Sequence, residues 1–162
     1  WLGTNLITAL IAASVINIFK DTLEQVIFLA VLMPIIASMG GVAATQTLTI
    51  TVRGLALGQI VKANYLYLFN RELIVGISNG FLWAVILSLI ACTWFQDWLL
   101  AWVICLSMII NLTAGVLSGM GIPILLRSLK LDPAVAGSVI VTTVTDVIGF
   151  FSFLGLASYF YS

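Results

Sequence analysis

Five runs of mostly apolar residues, each about 20 residues or longer and bounded by charge, leave this chain few places to fold other than a lipid bilayer. They cover residues 1–19, 26–52, 73–95, 98–126 and 134–161, and the second, fourth and fifth are long enough to tilt or to contain a break. Composition agrees with this reading. Hydrophobic residues make up 62% of the chain and charged residues only 7%, with a mean hydropathy of +1.24, whereas soluble domains carry about 25% charged residues. The predicted fold class is an all-α integral membrane protein, with five transmembrane helices per chain in a single domain over 1–162. The location is the plasma or inner membrane, crossed several times, with the lipid bilayer as a partner.

Several function classes are excluded early. Six basic and six acidic residues cancel, so no basic surface recommends nucleic acid as a partner. Histidine is absent, which argues against serine–histidine, histidine–zinc and haem chemistries. Cys92 and Cys105 lie within apolar runs and read as small packing residues. The chain begins at Trp1 in an apolar run, with neither a methionine nor the basic leader and cleavage site of a signal peptide. It reads as a fragment with a soluble portion upstream.

Charge sets the expected orientation. Alternate crossing places Arg53, Lys62, Arg71, Arg127 and Lys130 on one side and only Lys20 on the other, and the basic side is cytoplasmic. The N-terminus is then cytoplasmic and the C-terminus at Ser162 extracytoplasmic, with Asp21, Glu24 and Asp97 facing outward. Residues 53–72 are mildly amphipathic and are expected to lie along the membrane surface. The WFQDW stretch around Asp97 reads as a hairpin tip in the aromatic belt.

One acid departs from this pattern. Asp146 sits near the middle of the last apolar run, within SVIVTTVTDVIGFF. A carboxylate at that depth costs roughly 2.5–3.5 kcal/mol on insertion scales, so it needs water, a polar group or a cation beside it. Ser138, Thr142 and Asp146 recur at i, i+4 and i+8 and therefore stack on one helical face. Thr143 and Thr145 flank the stripe and can return their hydroxyl bonds to backbone carbonyls. An all-oxygen stripe suits a hard divalent cation, or its water shell, better than a soft metal. Two copies of Asp146 facing one axis would repel each other, and a divalent cation between them would neutralise the pair. Mg²⁺ sheds water reluctantly, so such a site would hold a hydrated ion.

The second span carries VLMPIIASMGGVAATQTLTITVRG. Pro34 removes a backbone donor and Gly40–Gly41 weakens the helix, so a break is expected where the backbone lines a cavity or another helix packs closely. Ser38, Thr45 and Thr49 lie roughly along one face with Gln46 beside it, which suggests a pore-lining role next to the span of Asp146. Elsewhere polarity reads as structural. Gly76–Gly80 and Gly115–Gly119 have the spacing of close helix packing, and Asn79, Asn111, Ser118 and Pro123 read as interhelical hydrogen-bond or kink positions. Asp132 reads as a helix N-cap ahead of Pro133 at the first helical position, and Arg71–Glu72 reads as an interfacial anchor.

These residues support three readings. The first is a passive channel for a hydrated divalent cation; the second is a proton- or sodium-coupled divalent metal carrier in which Asp146 alternates between proton and metal; the third is a non-transporting membrane scaffold subunit. An intramembrane enzyme would need an aspartyl pair, and one chain offers a single buried acid, so the chain does not read as an enzyme.

The ordered set P-x5-G-G-x4-Q at Pro34, Gly40, Gly41 and Gln46, Arg71–Glu72 with Gly76, Asp132–Pro133, and TTVTD-V-x-G-F at Thr142–Phe150 resembles the membrane domain of the MgtE family of magnesium channels and transporters. The resemblance runs through essentially all 162 residues. It implies a homodimeric channel for Mg²⁺, with the second and fifth spans of each subunit around a central pore, and Mn²⁺, Co²⁺ or Zn²⁺ as other possible passengers. It also implies that Asp146 acts on the ion through hydration water, with Thr142 and Ser138 one and two turns earlier. Cytoplasmic sensor domains that close the pore precede this domain in bacterial members and are expected to be missing here. The family's G-G-N-x-G-x-Q stretch reads Gly40-Gly41-Val42-Ala43-Ala44-Thr45-Gln46 in this chain, and Ser138 stands where some members carry asparagine.

Overall fold

The structure, a computed structural model, describes residues 1–161, so the expectation placed on Ser162 lies outside the described residues. Six α-helices follow one another: α1 (Leu2–Ile18), α2 (Lys20–Gln25), α3 (Phe28–Ala56), α4 (Tyr65–Phe95), α5 (Trp98–Ser128) and α6 (Pro133–Tyr161), with a 3₁₀ turn at Lys62–Asn64 ahead of α4. No strand occurs among the described residues. Helices α3 to α6 have 29, 31, 31 and 29 residues, more than the roughly 20 a bilayer crossing requires. The first expected span is an apolar helix of 17 residues, shorter than that requirement, and it ends at Phe19 before the short α2.

Two further expectations need correction. Residues 53–72 do not form a surface-lying connection: α3 continues to Ala56 and α4 already begins at Tyr65, leaving only 57–64 between them. Nothing in 65–72 breaks a helix, so the Arg71–Glu72 pair lies within α4. The break expected at Pro34 and Gly40–Gly41 is also absent, since α3 is a single continuous helix with Pro34 inside it. Pro34 falls in its second turn, where the loss is the one donor owed to the Ala30 carbonyl.

The glycines of this stretch serve close packing instead. A Cβ on Gly115 would come within 2.7 Å of the Gly40 carbonyl oxygen, and one on Gly119 would overlap the carbonyl oxygen of Ala44, so α5 lies directly on the α3 backbone. Gly76 and Gly80 play the same part between α4 and α5, where added Cβ atoms would stand 3.1 Å from Val116 and 3.2 Å from Ile109. Both glycine pairs therefore pack helices of the same chain together. Helix α5 is the centre of the bundle, touching α3, α4 and α6, and its buried side chains Leu100, Ile104, Met108 and Leu112 join Leu29, Ile36, Phe153 and Leu154 in one core.

The turns explain why the helices end where they do. At the end of α5, Lys130 adopts a left-handed conformation (φ 60°), with Leu131 N–H donating to the Leu126 carbonyl and Lys130 N–H to the Arg127 carbonyl. This is a Schellman closure that satisfies two otherwise orphaned carbonyls. Asp132 then accepts from the Ala134 amide at 2.9 Å, capping α6 ahead of Pro133 as expected. At the α4–α5 hairpin, Gln96 is left-handed (φ 53°) and Asp97 caps α5 through the amides of Leu99 (2.8 Å) and Leu100 (3.1 Å). Trp94 and Trp98 stand exposed on either side of this tip.

Candidate functional site

On α3, positions 34, 38, 41, 45, 49 and 53 follow one another at three or four residues and so share one face. The structure leaves Pro34, Ser38, Thr49 and Arg53 exposed and Gly41 and Thr45 partly exposed, with Gln46 exposed on the flank. The opposite face of α3, with Ile36, Gly40, Ala44, Thr47 and Leu48, is buried. On α6, Ser138 is exposed and Thr142, Thr143 and Asp146 are half-buried, while Val141, Thr145 and Gly149 are buried. Helices α3 and α6 pack against each other, so the two polar stripes lie side by side.

Thr45, Thr49 and Arg53 of α3 meet Ala134 and Ser138 of α6 around one groove of about 380 Å³. Ser138 is thus brought together with the α3 threonines. Thr142 and Asp146 lie one and two turns further along α6, beyond this groove. Gly40 and Thr145 are not brought to the open face: Gly40 turns toward Asn111 of α5, and Thr145 is fully buried with its hydroxyl on the carbonyls of Thr142 (2.9 Å) and Val141 (3.2 Å). Arg53 was legible only as an orientation signal, although it continues the same i+4 spacing past Thr49.

The hydroxyls on the open face are oriented by their own helices. Thr45 donates to Gly41 O (2.9 Å), Thr49 to Thr45 O (2.8 Å), Thr142 to Ser138 O (2.9 Å) and Thr143 to Val139 O (2.6 Å). Each proton is committed to a carbonyl, so the remaining hydrogen-bonding capacity of these side chains is as acceptors. A row of acceptors matches the outward-pointing hydrogens of water around a cation, or the cation itself. The Asp146 carboxyl, half-buried beside this row, has no hydrogen-bond or ion-pair partner among the described residues. No group of three or more His, Cys, Asp or Glu side chains converges among the described residues, so one chain supplies a single carboxylate rather than a protein cage for a stripped ion.

A second polar tie lies at the α4–α5 tip. The Tyr161 hydroxyl near the end of α6 donates to Asp97 Oδ2, while Oδ1 caps α5. Burial works against ionisation of Asp97, but the Tyr161 hydroxyl and the amides of Leu100 and Leu99 outweigh it and hold the carboxyl below the usual carboxylate range.

Residues 33–156 match the MgtE family, described as a divalent cation transporter. The chain is 35% identical over 160 residues to the magnesium transporter MgtE of Bacillus subtilis, a match that covers 99% of this chain and 36% of the relative. It is 30% identical over 160 residues to the magnesium transporter MgtE of Enterococcus faecalis, covering 99% of this chain and 35% of the relative. The magnesium transporter MgtE of Thermus thermophilus is 29% identical over 157 residues, 97% of this chain and 35% of the relative. The chain therefore spans about a third of the length of the curated relatives it matches.

Proposed function

This chain belongs to the MgtE family of divalent cation transporters, and from that premise we propose that it forms the membrane pathway for Mg²⁺, as a dimeric channel that passes a largely hydrated ion at Asp146. The observation that carries the reading is the exposed polar face of α3 and α6 in a chain that is 62% hydrophobic. Lipid is a poor neighbour for Ser38, Thr45, Thr49, Ser138 and Asp146. A second copy of the chain, set with the same face opposite, would enclose these groups around water and an ion.

In this arrangement the two Asp146 carboxylates attract a divalent cation, and the cation removes their mutual repulsion. The hydroxyl acceptors of Thr142 and Ser138 hold water of the ion's shell, so Mg²⁺ need not lose the ligands it sheds most reluctantly. The glycine-close packing of α5 against α3 and α4 supplies a rigid backing for the moving ion.

Asp146→Asn tests the reading, because it keeps the shape and removes the charge. The expected result is loss of Mg²⁺-dependent growth in a strain lacking its own uptake systems, with the variant present in the membrane at normal amount. Undiminished complementation would contradict a role for the carboxylate in the pathway. Uptake that stops when the proton or sodium gradient is collapsed, with the Mg²⁺ gradient kept, would replace the channel with a coupled carrier.

A further inference from the structure

Asn111 stands at the middle of α5 with no exposed surface. An amide in the core of a membrane bundle demands a partner, and its Nδ2 donates to the carbonyl oxygen of Ile36 on α3 at 2.7 Å. That carbonyl already belongs to the helical ladder of α3, where its own acceptor role is to Gly40. The other side of the amide rests against α6. A Cβ on Gly149 would lie 2.8 Å from Nδ2 and 3.1 Å from Cγ, and the three nearest atoms to a Cβ on Gly40 are likewise all from the Asn111 amide. The side chain is therefore clasped between one glycine of α3 and one of α6, and only glycine leaves room for it there.

We propose that Asn111 is a positioning residue for the ion pathway: it fixes how far apart α3 and α6 stand at the level of Asp146. The inference rests on the proposed Mg²⁺ pathway between those helices. Gly149 is three residues from Asp146, in the next turn of α6 on its buried side, so the contact that seats Asn111 bears on the turn that carries the carboxylate. Its link to Ile36 lies two residues before Ser38, the first hydroxyl of the α3 stripe below Pro34. Packing alone does not account for an amide here. Oδ1 is buried without a partner among the described residues, a burden that an apolar side chain would avoid. What the amide adds is a directional tie to α3 in a cleft shaped by both stripe-bearing helices.

The test uses the intact protein in liposomes, with initial uptake rates measured against Mg²⁺ and Ca²⁺ concentration. Asn111→Ala is expected to raise the half-saturating Mg²⁺ concentration about tenfold, as loss of a group that orients an ion site typically does, and to narrow the preference for Mg²⁺ over Ca²⁺. Thr113→Val is the control, since the Thr113 hydroxyl is also buried without a partner on α5; it should leave both quantities unchanged. Gly40→Ala should reduce the amount of folded protein, because its methyl collides with the amide. The double variant Gly40→Ala/Asn111→Ala should regain folded protein yet keep the raised half-saturation, which separates packing from positioning. A wild-type half-saturation in Asn111→Ala or in the double variant, with only the amount of folded protein altered, would overturn the proposal. Wild-type uptake by Asp146→Asn in the same liposomes would instead remove the pathway reading on which it rests.

Discussion

The outward face of α4 and the open face of α3 and α6 are both exposed in the single chain, and they differ in chemistry. On α4 the exposed side chains include Ile74, Ile77, Phe81, Leu82, Val85, Ile86 and Leu89. On α3 and α6 they include Ser38, Gln46, Thr49 and Ser138, with Val42 and Ile50 interleaved and Thr45, Thr142 and Asp146 half-buried beside them. Exposure therefore describes two different surroundings. Hydrocarbon suits the apolar side chains of α4, although Ser78 and Asn79 are also exposed there and Asn79 is not drawn into the bundle. The α3–α6 face, with its carboxylate, needs water, an ion or another protein surface against it. Helix α5 shows the third condition: it packs against α3, α4 and α6 and is far more buried than α4, so it stands between the two faces.

Exchanging the chemistry of the two faces gives the largest expected effects. Ile77→Arg on α4 places a charge against lipid and should destabilise insertion by about 3 kcal/mol, read as loss of folded protein from the membrane. Thr142→Leu on α6 should leave folded protein in place and reduce Mg²⁺ uptake; loss of folded protein with unchanged specific uptake would break the comparison. Gly115→Val strains the wall between the faces, because the added atoms meet the Gly40 carbonyl and Thr145, and overpacking of this kind costs about 1–3 kcal/mol. Thermal unfolding in detergent would show it as a lowered midpoint.

The smallest effect belongs to the rim, away from both faces. Tyr161→Phe removes one hydrogen bond to Asp97 and should lower stability by about 1 kcal/mol or less. The pH dependence follows from the sign of the Asp97 shift. Because its folded-state pKa lies below the ordinary value, its contribution is present above the ordinary carboxylate range and is lost as pH falls through that lower value. The unfolding midpoint of the wild type should therefore fall more on acidification than that of Asp97→Asn. Equal acid sensitivity would remove Asp97 as the source.

Much of this contrast was legible in the chain itself. Length and apolarity between charges marked α3 to α6, and the i+4 spacing of Ser138, Thr142 and Asp146 placed them on one face of a helix, as the structure has them. Asp132 and Pro133 announced the start of α6 because the capping chemistry is local. What the sequence could not reveal depends on neighbours. Pro34 and Gly40–Gly41 read as a break because local propensity disfavours helix there, yet packing against α5 keeps α3 continuous. Gly40 and Thr145 share a segment with the open-face residues, and only the position of α5 shows that they turn the other way. The early start of α4 at Tyr65 was hidden by the charges of Arg71 and Glu72, which interrupt an apolar run without interrupting a helix.

The central claim is that the polar face of α3 and α6 encloses a hydrated divalent ion between two copies of Asp146. Anomalous scattering from crystals of the intact protein grown with Mn²⁺ in place of Mg²⁺ tests it most directly. The account predicts a peak on the two-fold axis at the level of Asp146, held off from both carboxylates by a layer of water. Mn²⁺ bound only at the exposed loops, with the two Asp146 residues on separate surfaces of the assembly, would contradict it.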